Sequence, residues 1–568
     1  MSTGDLISRV YSNFRGVDFR GEEINLVRSP DSQNVWKDYR KTSSIRTRPG
    51  MELKVSFPST VYGIFFYKGI KLVHSGKNLY TVTDGGKKTI IHSALNEAPS
   101  DAFVFNGIWY FKDGLNYLQY DGTTLKDVEG YVPTTSIGRR PEGGGTVHED
   151  VNKLTARRKN SFLADGGSFD FVLDADDIDT DFVPIVTENG VVKTFGTDYT
   201  VDYERGVISF KTKAPDRPLT DGQDNVVIEF SKTINDPGST TNKYRESILK
   251  CTLLQVFDNR VFFSGNPDYP SMVWHCSLEA PNYVSDLDYY RLGMDSSQVR
   301  GMVAGNNNLW VFREPSDANT NVFYLTPSMD DSYGKIYPSS HSSVTIGCTG
   351  RAINFNDDIV FFSERGMEGI SGDVTTEQMA AHRSTLVDSK LIAEGGYADM
   401  ILAEWEGYLL VIIGDSVYLA DSRAVFTNEN HIEYDWFYWK MEKPVTSARV
   451  HDGVLYLGTT DGVYTLTGTG NVESWWTTPL DKFNNPNKLK TTNKRGCVAE
   501  AEGDISVYAK LEDTDFELIG EYKEVKDYFV SRIKRKKFKD LQIKFYSQTR
   551  FSLETVTLEA WVGGYIKR

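Results

Sequence analysis

The chain has 568 residues, 39% hydrophobic and 25% charged, with a formal net charge of −15. That length exceeds one ordinary core and predicts about three domains, while the acidity argues against a general nucleic-acid binder, since phosphate contacts need clustered Lys and Arg. No apolar run approaches the ~18 residues of a membrane-spanning helix, and Met1-Ser2-Thr3-Gly4-Asp5 predicts no secretory signal. Four scattered cysteines (Cys251, Cys276, Cys348, Cys497) form no CxxC pair, so buried free thiols are expected.

In chain order, residues 1–55 form a polar N-terminal segment that leads into a repeat and ends in Ile45-Arg46-Thr47-Arg48-Pro49-Gly50, a turn signal. From there short polar turns recur between aromatic-rich strands. They are Tyr67-Lys68-Gly69, Phe105-Asn106-Gly107, Phe257-Asp258-Asn259, Gly305-Asn306-Asn307, Phe355-Asn356-Asp357, Trp405-Glu406-Gly407 and His451-Asp452-Gly453. A spacing of about 40–50 residues, once one insertion is set aside, is the signature of propeller blades. Residues 56–145 hold the first blades, closing on the flexible joint Arg139 to Gly145.

Residues 150–235 break that rhythm with short strands such as Val207-Ile208-Ser209-Phe210 and Val226-Val227-Ile228-Glu229-Phe230. Their spacing predicts an inserted immunoglobulin-like β-sandwich. Residues 250–470 hold the remaining blades, with one helix expected over 374–393, and residues 475–568 read as a C-terminal β-domain. The predicted fold class is all-β: a seven-bladed β-propeller, an inserted sandwich and a C-terminal β-domain.

Few residue groups carry chemistry. Asp174 to Asp181 is rich in carboxylates but lacks the bend Gly and closing Glu of a Ca²⁺ loop, so a solvated acidic turn is expected. Glu364 and Glu368 flank Arg365-Gly366 and read as a blade hairpin rather than a catalytic pair. His275 and Cys276 are neighbours on a strand and point to opposite faces. No Walker loop and no His spacing for zinc occurs, so no cofactor, metal or catalytic residue is expected. The one strong basic run is Arg532, Lys534, Arg535, Lys536, Lys537 and Lys539. It reads as a Lys-protected edge strand, or as a contact with an acidic neighbouring subunit or with DNA. Trp436-Phe437-Tyr438-Trp439 and Trp475-Trp476 are expected to pack between blades, with a partner-docking patch as the alternative.

The succession Ser264-Gly265-Asn266-Pro267, Val273-Trp274-His275-Cys276, Gly293-Met294-Asp295, Leu309-Trp310-Val311-Phe312-Arg313-Glu314 and Phe362-Ser363-Glu364-Arg365-Gly366 resembles the tail-hub, or nozzle, proteins of short-tailed bacteriophages, often labelled phage stabilisation proteins. Arg46-Thr47-Arg48-Pro49-Gly50 is similar to that family's opening, and the insertion is similar to small β-domains of phage tail proteins. The resemblance implies a structural, non-enzymatic virion protein, made in the host cytoplasm and placed in the tail. It implies six copies in a ring beneath the portal and adaptor, in contact with tail fibres or other tail proteins and with no membrane. The packaged viral DNA is retained by such a ring and passes through it at ejection without specific binding. Six acidic copies would sum to roughly −90 formal charge, which repels phosphate and lets DNA slide. The alternative is a propeller that binds or depolymerises glycans, although no Asp-box motif is found.

Overall fold

The computed structural model describes residues 5–21, 26–39, 44–234, 243–293, 296–317, 320–331, 334–371, 378–428, 431–533 and 537–565. Strands dominate, and seven four-stranded sheets are the blades of a β-propeller. They span residues 61–93, 101–127, 253–291, 299–341, 352–382, 401–440, and 447–468 joined by the strand Gly50–Ser56; we call them blades 1 to 7.

In every blade a two-residue turn joins the first strand to the second. These turns are the repeat seen in the sequence, from Lys68-Gly69 to Asp452-Gly453. All fourteen central residues have φ between +48° and +77°. That left-handed pair is the turn whose twist matches two antiparallel strands, and Gly, Asn and Asp adopt it most readily. The second strand of each blade is then heavily buried, as in Leu309, Trp310, Val311 and Phe312 of blade 4.

The chain divides into two compact units. One comprises residues 1–93, 312–322 and 341–568; the other comprises 94–311 and 323–340. Three of the divisions fall in blade 4, and the fourth follows the last strand of blade 1. In the second unit, blades 2 and 3 share a core in which Tyr117 meets the edge of Phe263 at 5.7 Å. The insertion lies in the same unit. Its six-stranded sheet runs Thr146–Val147, Thr134–Arg139, Arg157–Phe162, Val226–Ser231, Ile185–Glu188, Val191–Val192. A three-stranded sheet, Asp170–Val172, Val207–Phe210 and Tyr199–Asp202, packs on it through Phe162, Phe171, Ile208, Phe210 and Phe230. The sandwich thus starts at Thr134, inside the stretch 56–145 assigned above to blades. Thr134–Arg139 pairs with Arg157–Phe162 in parallel, a partner lying across the Gly-rich joint that local pattern does not reveal.

In the first unit, blade 7 takes its fourth strand from the N-terminal segment: Gly50–Ser56 pairs with Gly462–Gly468. The expected C-terminal domain also recruits that segment. Its eleven-stranded sheet includes Leu6–Tyr11, Ser32–Gln33, Val35–Lys37 and Ile45–Thr47 beside the long strands Lys488–Leu511 and Phe551–Tyr565. The helix expected over 374–393 shortens to Asp388–Glu394. Met379–His382 is instead the fourth strand of blade 5, where pairing with Gly366–Ser371 overrides helix propensity. Residues 374–377 of that expectation lie outside the described residues.

Arg48 joins these parts. Its buried guanidinium donates to Asn34 Oδ1 and to the carbonyls of Pro49 and Lys440, each at 2.9 Å, and pairs with Glu442 at 3.0 Å. Arg48→Met should cost about 3–5 kcal/mol by leaving these buried acceptors unpaired. Arg48→Lys should not restore the loss, since one ammonium cannot reproduce the guanidinium fork. Urea unfolding of both variants tests this. Gly107→Ala should cost only about 1 kcal/mol, because its φ of +74° is the sole obstacle and no atom crowds the site. Gly16→Ala should cost several times more, because its Cβ would lie 1.9 Å from the Trp436 carbonyl oxygen.

Candidate functional site

The candidate interaction surface is the C-terminal domain, where the basic run lies. Lys488–Leu511 has partners on both sides for much of its length: Phe551–Tyr565 and Leu541–Ser547 on one flank, and Glu517–Val525, Tyr528–Ser531 and Lys537–Phe538 on the other. The basic run follows Tyr528–Ser531. Ile533 and Phe538 turn inward and are buried, and Phe538 packs on Phe483. Arg532, Lys537 and Lys539 point outward and are exposed. Lys534, Arg535 and Lys536 lie outside the described residues.

A cavity of about 260 Å³ opens here. Apolar side chains of Ala509, Leu511, Leu518, Ile519, Ile533 and Phe538 line it, and Glu512, Thr514, Glu517, Arg532 and Lys537 rim it. Glu512 is engaged in the fold, its Oε1 accepting the Lys539 backbone N–H at 2.9 Å. Arg532 and Lys537 have no hydrogen-bond or ion-pair partner among the described residues. An apolar hollow beside unpaired cations suits an apolar group bearing negative charge.

The other candidates are consumed by the fold. Asp174 Oδ2 accepts the Thr135 hydroxyl at 2.6 Å, and Asp179 accepts Ser231 Oγ and the Thr233 backbone N–H. His275 is buried, which depresses its pKa to about 4, and burial raises Cys276 to about 12. Trp436, Phe437, Tyr438 and Trp439 are all buried, so they form core rather than a docking patch. Among the described residues, no group of three or more His, Cys, Asp or Glu is placed to hold a metal ion. Among those same residues, no helix is long and apolar enough to cross a membrane.

One cluster has no local sequence signal. Glu364 is exposed, whereas Glu368 is buried and held by Arg365 at 3.0 Å. His382 Nδ1 lies 3.1 Å from Glu368 Oε1 and its Nε2 lies 2.6 Å from Asp388 Oδ2. Ser384 Oγ also donates to Asp388 Oδ1, at 2.6 Å, and lies 3.5 Å from His382 Nε2. Burial opposes the charged imidazole, but hydrogen bonds to Asp388 and Glu368 outweigh it and raise the pKa to about 9. The charged His382 is a clamp between blade 5 and the helix Asp388–Glu394.

No protein-family model matches the chain, and no curated protein matches its sequence. Among solved structures it is similar to BamB from Moraxella catarrhalis, at 10% identity over 78% of this chain and 94% of that one, with a TM-score of 0.34. The computationally designed Ika8 protein matches at 11% identity, 73% and 98% coverage, and a TM-score of 0.32. The Pan2 WD40 domain of Neurospora crassa matches at 7% identity, 74% and 96% coverage, and a TM-score of 0.26.

Because His382 is raised from an unfolded value of ~6.5, its contribution should be complete below that pH and disappear as pH climbs through 9. The shift corresponds to on the order of 3 kcal/mol. In urea unfolding between pH 6 and 10, the stability difference between the wild type and His382→Gln should shrink as pH rises, a comparison that cancels the opposite titration of buried Lys112. Arg532→Ala and Lys537→Ala should each change stability by less than about 0.5 kcal/mol, since neither side chain has a partner among the described residues.

Proposed function

We propose that the protein is a structural component of a short-tailed phage virion: a homo-oligomeric tail nozzle that prolongs the portal–adaptor channel, retains packaged DNA and conducts it at ejection. The observation that carries this reading is the ordered succession of motifs from Arg46-Thr47-Arg48-Pro49-Gly50 to Ser363-Glu364-Arg365-Gly366. Two features support it. The net charge of −15 suits a conduit that must not hold phosphate. The buried charges of Arg48, Glu368 and His382 are spent on holding the fold, which suits a mechanical part. On this reading the partners are five further copies, an adaptor ring, other tail proteins and the passing DNA.

Electron microscopy of the purified chain, alone and mixed with the adaptor ring of the same virion, tests the proposal. Six-fold rings with an open axial channel are expected. Monomers in both samples would overturn it in favour of a glycan-binding propeller.

A further inference from the structure

A second recess, of about 280 Å³, lies between the N-terminal segment and blade 6, within the first unit. Opposite charges line it at different depths. Its carboxylates, Asp421 and Asp435, have side chains only 1% exposed. Its cations, Arg15, Lys37 and Arg423, reach solvent, with the Arg15 side chain 29% and the Arg423 side chain 37% exposed. An entering group therefore meets the cations.

Both carboxylates are spent within the fold. Asp435 Oδ1 accepts Arg28 Nη2 at 2.7 Å, and its Oδ2 accepts Arg15 Nε at 2.5 Å. Asp421 Oδ1 accepts the Arg423 backbone N–H at 3.0 Å, and its Oδ2 accepts the Tyr39 hydroxyl. The cations keep donors in reserve. Arg15 commits only its Nε, so its two terminal nitrogens have no acceptor among the described residues. The Lys37 ammonium has no hydrogen-bond or ion-pair partner among them and lies 5.5 Å from the Tyr39 ring. The Arg423 guanidinium rests 3.5 Å from that same ring.

Arg28 included, four cations stand against two carboxylates, a surplus of two positive charges in a strongly acidic protein. A phosphate monoester carries about 1.5 to 2 negative charges near neutral pH and presents three acceptor oxygens. Guanidinium forks and lysine point charges are the side chains that bind such groups. Arg15 is already oriented by Asp435, so little side-chain entropy is lost when it engages a ligand.

We propose that this recess binds a dianionic phosphate group, with the terminal nitrogens of Arg15 and the ammonium of Lys37 as its donors. The phosphodiester of DNA carries a single charge and belongs to a duplex too bulky for the recess, so such a site leaves passing DNA unheld. The inference is independent of the nozzle reading.

Calorimetric titration of the full-length chain at pH 8 tests it, with inorganic phosphate, glycerol 3-phosphate and dimethyl phosphate as probes. Binding of one phosphate or one glycerol phosphate per chain is expected, with dimethyl phosphate at least tenfold weaker. Tighter binding of inorganic phosphate would identify the free ion as the occupant, and tighter binding of glycerol phosphate a monoester; both orders support the site. Lys37→Gln should weaken the preferred probe at least tenfold with its ligand-free thermal midpoint unchanged, since the ammonium has no partner to lose. Lys37→Arg should keep the affinity within about threefold, because it keeps the charge. No binding, equal binding of the diester, or undiminished binding by Lys37→Gln would each overturn the inference.

Discussion

The buried guanidinium of Arg48 is the constraint on which the first unit depends. Removing such a group from water costs several kcal/mol unless its donors are met. Burial accordingly pulls its pKa down, against the opposing pull of Glu442. The acceptors come from distant parts of the chain: Asn34 in the N-terminal segment and Lys440 at the end of blade 6. Asn34 in turn donates to the Glu473 carbonyl and accepts the Lys440 N–H. Arg48 stands just before Gly50–Ser56, so fixing it helps fix the register in which that strand completes blade 7. The same knot holds Val35–Lys37 and Ile45–Thr47 where they join the C-terminal sheet.

Buried charge is used in the same way elsewhere. Asp421 and Asp435 face each other across blade 6, a pairing that like charges ordinarily disfavour. Asp435 is neutralised by Arg15 and Arg28 from the N-terminal segment, and Asp421 is held by Tyr39 and Arg423. The repulsion becomes a reason for the segment to lie over this blade. In the second unit, Lys112 is buried and donates to the carbonyls of Ile248 and Leu249, ending the helix Lys243–Leu249; burial lowers its pKa to about 8. Groups that a sequence reader would test for catalysis are therefore fixing points, each already engaged.

What remains free is correspondingly informative. Arg532 and Lys537 are cations without a partner among the described residues, set beside an apolar hollow in a domain that carries 18 Lys and Arg against 14 Asp and Glu. An engaged charge holds the fold together, whereas an unengaged one beside an apolar cavity is available to another molecule.

The blades were legible because their cause is local. Two consecutive residues such as Asn306 and Asn307 must adopt positive φ, few residue types tolerate that, and the strands beside them must bury aromatic faces. The basic run was legible as composition alone; that Ile533 and Phe538 anchor it over a cavity was not, because their partners lie on Lys488–Leu511 and Glu517–Val525. The same limit hid the Thr134–Arg139 pairing, the shortening of the helix at 388–394 and the His382 clamp, whose members come from separate elements. Sequence by itself determined where the chain turns, since a turn is a matter of adjacent φ angles. Tertiary structure alone decided which strands share a sheet and which charges are spent, since pairing and desolvation depend on residues far apart along the chain.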